Sequence, residues 1–261
     1  MRVLTVTPTV KLGMDTLHAL YGQTYAGPND HMQTFDNPER VAGQNIIYNY
    51  RKLQAVFLSG GYDALWVVED DVLPPPTALE QLLAVGADIA YGVYCFRRGI
   101  PVINIMHPRT RDPMAGQGAA WARLVEQGAI VDCNGLGLGC TLIQRHVLER
   151  FPFRTETGGG DVDTCLANDA AAAGLTQKAH LGVLCGHRDS LTSVLWPTTR
   201  RPYWERRGPK TPRTQRVRIL RPVALFEEAY GQRIGYPGDE LVVEQELAQS
   251  LAPVGVLEIM P

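Results

Sequence analysis

The sequence is poor in several features that often announce a protein class. Cysteine is scarce: Cys95, Cys133, Cys140, Cys165 and Cys185 are the only five among 261 residues, and no two share a C-x-x-C spacing. An odd, scattered set argues against a disulfide framework or a zinc cluster and leaves reduced, mostly buried thiols. Long apolar runs are missing, and none approaches the roughly 20 residues that a membrane-spanning helix needs. No membrane span is therefore expected. The opening segment MRVLTVTPTV reads as a strand and lacks the basic, apolar and small-residue pattern of a signal peptide. A cytoplasmic location is the expectation. Net charge is nearly absent, since 25 Lys+Arg against 27 Asp+Glu sum to −2.

What remains is ordinary globular material. At 45% hydrophobic and 20% charged, the composition excludes a disordered chain. The length suits one full-sized domain with an appendage. The near-zero charge conceals zones. Residues 197–221 hold nine basic and one acidic side chain, and residues 222–261 hold one basic and seven acidic.

The run Ala64–Val68 is continuously apolar, as in a strand buried on both faces of a parallel sheet. Further strands are expected at Val3–Thr9, Asp88–Phe96, Ile100–Met106, beyond the glycine-rich NGLGLGC (134–140), and at Ala179–Leu184. Helices are expected at 11–24, about 40–59, 77–85, 146–151 and about 161–173. Residues 25–40, rich in Gly, Pro, Asn and Asp, read as loop. This alternation predicts an α/β fold: a mainly parallel sheet flanked by helices over 1–196. A basic, proline-containing linker follows over 197–216. A small β-rich C-terminal appendage over 217–261 carries one short helix at Glu244–Leu251. The basic stretch could contact nucleic acid, rest as a solvated linker, or lie against the acidic tail. The +8 and −6 of the two zones favour the last.

Glu69, Asp70 and Asp71 carry the strongest chemical signal. They leave the end of a buried strand, the edge of an open α/β sheet where ligands gather. Three adjacent acids repel unless a cation neutralises them, and Mg²⁺ or Mn²⁺ suits carboxylate oxygens shared with phosphates. His187 follows the strand AHLGVLC and one glycine, where a neutral imidazole can complete such a site. Asp161 and Asp163 follow three glycines and open a helix. Each is a candidate general base, while plain helix capping by Asp161 is the competing reading. The glycines of NGLGLGC let the backbone approach a ligand closely. They precede a strand, so a dinucleotide fingerprint is excluded.

The order of these pieces resembles the GT-A fold of nucleotide-sugar glycosyltransferases, over roughly residues 1–190. VVEDDV resembles that family's DxD-type motif, with Glu69 and Asp71 in the outer acid positions and Asp70 between them. The resemblance implies Mn²⁺ or Mg²⁺ on Asp71, Glu69 and His187, the last through its likeness to the terminal strand's metal-binding histidine. GGGDVDTC resembles the later acidic motif, with Asp161 on the base position and Gly160 replacing the usual preceding acid. Thr7, Pro8 and Thr9 resemble the nucleotide-base pocket. Asn45 and Arg51 lie on a helix that resembles the one approaching the donor nucleotide. The implied GT-A Rossmann-like enzyme is a metal-dependent hexosyltransferase. It takes its sugar from a nucleotide-sugar, UDP-sugars being favoured, and gives it to an acceptor hydroxyl on a glycan, a protein or a nucleic acid. The tail resembles β-rich appendages of phage-encoded proteins and is a candidate homo-oligomer interface. Two rival readings stand: a sugar-1-phosphate nucleotidyltransferase, and a non-catalytic binding module of a viral particle.

Overall fold

The protein is described from a computed structural model, over residues 1–9, 14–35, 44–96, 103–106, 119–135, 137–156, 161–190, 193–197, 203–206, 214–220, 223–227, 231–235, 238–244, 248–249, 252 and 257–260. Its elements run β1 (Val3–Thr9), α1 (Met14–Tyr21), β2 (Asn29–Phe35), α2 (Gln44–Ser59), β3 (Ala64–Val68), β4 (Val72–Leu73), α3 (Ala78–Ala84), β5 (Ile89–Val93) and β6 (Ile105–Met106). They continue with α4 (Ala119–Glu126), β7 (Ile130–Asp132), β8 (Asn134–Gly135), β9 (Cys140–Gln144), α5 (Arg145–Arg150), α6 (Val162–Ala172), β10 (Gln177–Leu184), β11 (Gly186–Ser190) and β12 (Ser193–Trp196). The last are β13 (Tyr203–Arg206), β14 (Thr214–Ile219), β15 (Val223–Glu227), β16 (Gly231–Gly235), β17 (Glu240–Glu244) and β18 (Leu257–Ile259).

Seven strands form the central sheet in the order β2-β1-β3-β9-β5-β10-β7. Five of them (β2, β1, β3, β5, β10) point the same way, while β9 and β7 run opposite to their neighbours. The expected mixed α/β architecture with a mainly parallel sheet is therefore present. Every residue of β3 is buried. Its alternating side chains feed two cores, as a period of two requires. Leu65 and Val67 join Tyr50, Leu53 and Phe57 of α2 on one face. Ala64, Trp66 and Val68 join Leu20 of α1 and Leu79 and Leu82 of α3 on the other.

This two-sided winding places the site. The chain leaves β1 through α1 on one face to reach β2, then returns through α2 on the other face to β3. The chain thus reverses direction about β1, and a crevice is expected beyond the carboxyl ends of β1 and β3. Val6 stands level with Val67, so Thr7 and Pro8 end β1 beside the approach to Glu69. Gly61, at φ 68°, follows the end of α2 as the sequence expects of a helix-stopping glycine pair.

Several expectations need correction. Residues 29–35 form strand β2, paired in parallel with all seven residues of β1, where a loop was expected. It is an edge strand of polar composition, so burial left little trace in it. Of the expected strand Ile100–Met106, the described residues 103–106 hold β6 and a bridge between Cys95 and Ile103, while residues 97–102 lie outside the described set. Ala179–Leu184 is not the last strand of this part. β11, β12 and β13 follow and form an antiparallel sheet with β4. Tyr203–Arg206, inside the stretch read as linker, pair with β12, so the boundary at 196 falls within that sheet. Most of the helix expected at Glu244–Leu251 lies outside the described residues, and Glu244 itself ends β17.

All five cysteines are free and buried. No helix among the described residues is long and apolar enough to cross a membrane. In the C-terminal sheet β17-β14-β18, Arg218 meets Glu240 at 3.1 Å and Glu258 at 3.6 Å, and Arg216 meets Glu240 at 3.5 Å. Two cations of the basic stretch thus lie against acids of the tail. These pairs are exposed and contribute little stability individually.

Candidate active site at the end of strand β3

The acidic triplet leaves β3 in a tight turn. Val72 N donates to Glu69 O at 3.0 Å, and Glu69 N donates to Gly139 O at 3.1 Å. The second bond exists because β9 runs antiparallel beside β3, with Val68 opposite Cys140. The glycine-rich turn is thereby brought against the acids. Its glycines face Tyr94: a Cβ on Gly137 (φ 103°) would come within 2.1 Å of Tyr94 Oη. The close approach expected of them toward a ligand is, at Gly137 and Gly139, an approach to this tyrosine, whose Oη accepts from Gly139 N at 3.2 Å.

The turn sends Glu69 and Asp71 to different places. Asp71 meets His187, because β11 pairs antiparallel with β4 and sets His187 opposite Val72. His187 is 6% exposed. Its Nδ1 lies 2.6 Å from the carbonyl oxygen of Cys95, so that nitrogen carries the proton and donates. Nε2 faces Asp71 Oδ1 at 3.5 Å, and in the neutral tautomer it is the nitrogen with the lone pair. Tyr94 packs edge-on against the imidazole at 5.2 Å between ring centroids. Arg188, the next residue, secures the turn from behind. Its backbone N donates to Asp71 O at 2.7 Å, and its guanidinium donates to the Asp70 carbonyl and, at 3.2 Å, to Thr16 Oγ1. Thr16 donates to the same Asp70 carbonyl at 2.7 Å.

Glu69 instead lines a cavity of about 270 Å³. Tyr50 Oη donates to Glu69 Oε1 at 3.1 Å. Burial, followed by the charges of Asp71 and Asp163, pushes the half-buried Glu69 carboxyl up to about 8. Asp161 and Asp163 line the same cavity from the start of α6. Asp161 occupies the N-cap position, yet its side chain makes no capping hydrogen bond, so the capping explanation of this residue fails. Asp163 Oδ1 accepts from Thr164 N at 2.7 Å, and burial raises its carboxyl above the usual range. The remaining walls come from Ile47, Leu138, Thr155 and Val162.

The structure therefore divides the expected metal set. Among the described residues no three His, Cys, Asp or Glu side chains gather closely enough to hold one ion. Asp71 and His187 pair, while Glu69 turns to Tyr50. Thr7 is buried at the end of β1 and Pro8 is half-buried. The side chains of Thr9 and Asn45 lie outside the described set, although Ile47 and Tyr50 of the same helix reach the cavity. Arg51 stands apart: its Nε donates to the Phe153 carbonyl at 3.0 Å. Sequence reasoning missed Tyr50, Tyr94 and Arg188. The first two read as apolar-face residues, and only the position of Arg188 beside His187 pointed to it.

Comparisons with known proteins add a fold. No family model matches the chain, and no curated protein matches it. The solved structure of A197 from STIV is similar at a TM-score of 0.55 and 17% identity, over 82% of this chain and 97% of that one. That likeness is one of fold. S. aureus TarS 1–349 in complex with UDP matches at a TM-score of 0.43 and 12% identity, over 70% of this chain and 58% of that chain. CMP:2-keto-3-deoxy-manno-octonic acid synthetase complexed with CTP matches at 0.41 and 13%, over 69% of this chain and 89% of that one.

Proposed function

We propose that the protein is a divalent-metal-dependent glycosyltransferase of the GT-A type, moving a sugar from a nucleotide-sugar to an acceptor hydroxyl. The observation that carries this reading is the pairing of β4 with β11. It sets Asp71 Oδ1 and His187 Nε2 face to face at 3.5 Å, next to a cavity lined by carboxyl groups.

A carboxylate oxygen and the Nε2 of a neutral imidazole held face to face, with Nδ1 engaged by the Cys95 carbonyl, fit a divalent cation of the Mn²⁺ or Mg²⁺ kind. Asp71 and His187 would hold it. A protein that offers few ligands suits an ion shared with substrate phosphates. When bound, such an ion supplies charge stabilisation to a departing diphosphate. The chain's own residues divide the remaining work. Thr7 and Pro8 border the crevice on the β1 side and are assigned to the nucleotide. Asp163, held by Thr164 N, orients the sugar. Asp161, exposed and free of capping duty, takes the acceptor proton in an inverting transfer.

Thermal-shift measurements with UDP-, GDP- and other nucleotide-sugars, with and without Mn²⁺, test the reading. A metal-dependent stabilisation by at least one nucleotide-sugar is expected, and its absence across the set would sink the proposal. Release of pyrophosphate from a nucleoside triphosphate and a sugar 1-phosphate would instead assign nucleotidyl transfer. The anomeric configuration of the product, read by NMR, tests the role of Asp161. Inversion is expected, and retention would remove the base assignment.

A further inference from the structure

We infer that the cavity beside β3 receives a pyranose ring without negative charge and rejects a carboxylated one. The inference rests on the reading of this cleft as a sugar-transfer site and narrows its donor class.

The lining of the cavity has two chemically distinct parts. Ile47, Leu138 and Val162 offer apolar surface, while Glu69, Asp161 and Asp163 offer carboxyl groups. A pyranose has the matching construction, with C–H faces and an edge of hydroxyl donors. Carboxylate oxygens accept from such donors in charge-assisted bonds. Among the described lining residues none is Lys or Arg, so none of them answers an anionic group. A phosphate or a sugar carboxylate in this space would face Asp161 and Asp163. The same reasoning assigns the diphosphate to the Asp71–His187 side and leaves the cavity to the sugar. Its volume of about 270 Å³ lies just below the range of drug-sized pockets and suits one ring, not a chain of them. Asp163 is placed for the task. Thr164 N engages its Oδ1 at 2.7 Å, and its Oδ2 lies on the side of Gly137, where a Cβ would stand 3.7 Å away but glycine provides none.

Two titrations test the inference on the intact chain. In the first, methyl glucoside and methyl galactoside are compared with the corresponding methyl uronides by ligand-observed NMR. In the second, UDP-glucose and UDP-galactose are compared with UDP-glucuronic and UDP-galacturonic acids by calorimetry in Mn²⁺. The neutral sugar is expected to bind about tenfold tighter or more in each pair, because like charges brought together select strongly against the wrong ligand. Asp163→Asn is expected to narrow that ratio several-fold. Asp161→Asn serves as the second variant if the first melts at reduced temperature. Equal or tighter uronide binding, no binding by any free glycoside, or a ratio unmoved by both variants would overturn the inference. The two arms fail separately. Nucleotide-sugar binding without sugar discrimination would remove the inference and leave the transferase reading standing. Glycoside discrimination without nucleotide binding would remove the transferase reading and leave the cavity assignment standing.

Discussion

Two acidic groups meet at the end of β3, and they are built differently. Asp71 and His187 are held by backbone: the β4–β11 ladder, the Cys95 carbonyl and the clamp from Arg188 fix both partners. Glu69, Asp161 and Asp163 instead surround a cavity walled by α2 and α6, with Glu69 held by Tyr50 Oη and Asp163 by Thr164 N. The turn closed by Val72 N and Glu69 O separates Glu69 from Asp71 although only Asp70 lies between them in sequence. A fixed pair of acceptors suits an ion, whose demand is geometric. A cavity of mixed lining suits an organic group, whose demand is shape and hydrogen bonding.

Disabling the first group is the most damaging way to break this comparison. Asp71→Asn and His187→Ala are each expected to abolish the Mn²⁺-dependent thermal shift and to cut turnover by about 10³-fold, the scale of losing a principal charge-stabilising element. Undiminished donor turnover in Asp71→Asn would refute the metal assignment. Asp161→Asn comes next, with turnover down by about 10²-fold, as for a lost general base. The Mn²⁺ shift should survive in that variant. A lost shift would mean that the two groups act as one.

Arg188 sharpens the comparison at smaller amplitude. It fixes the Asp70–Asp71 carbonyls against Thr16 and β11. Arg188→Ala is expected to weaken Mn²⁺ binding by about 10- to 100-fold, the range for supporting residues around a metal. Electron paramagnetic resonance of free Mn²⁺ reads this without reference to turnover. Arg188→Lys should recover part of the loss through an ammonium N–H donated to the Asp70 carbonyl. An unchanged affinity in the alanine variant would confine Arg188 to fold stability.

The parts visible in the sequence and the parts hidden from it follow the same division. β3 was legible because burial on both faces leaves five consecutive apolar residues, and its acidic exit stood out against them. His187 was legible as a type at a strand end, but its partnership with Asp71 depends on a ladder that sets it opposite Val72, far away in sequence. β2 was hidden because an edge strand with the sequence NDHMQTF needs no apolar face to pair along β1. The antiparallel course of β9 was hidden because buried strands of either direction are equally apolar. Tyr50 and Tyr94 looked like core rings, and each is one. Their hydroxyls, which meet Glu69 and Gly139, leave no mark on hydrophobic periodicity.

The mildest test concerns protons. Glu69 holds its proton up to about pH 8 in the folded protein, whereas the unfolded chain releases it near the usual 4.5. Between these values the folded state binds more protons, so its stability falls as pH rises. The contribution is full below about 4.5 and lost above about 8. The melting temperature of the metal-free protein should therefore decline from pH 5 to pH 8. Glu69→Gln, which cannot ionise, should flatten the decline in part, because Asp163 is raised by burial and adds a slope of the same sign. Asp71→Asn should flatten it less, since Asp71 acts on Glu69 only as the second cause after burial. If Asp71→Asn flattened the profile as fully as Glu69→Gln, charge repulsion would outweigh burial, and the two acidic groups would be one electrostatic unit despite their separate construction.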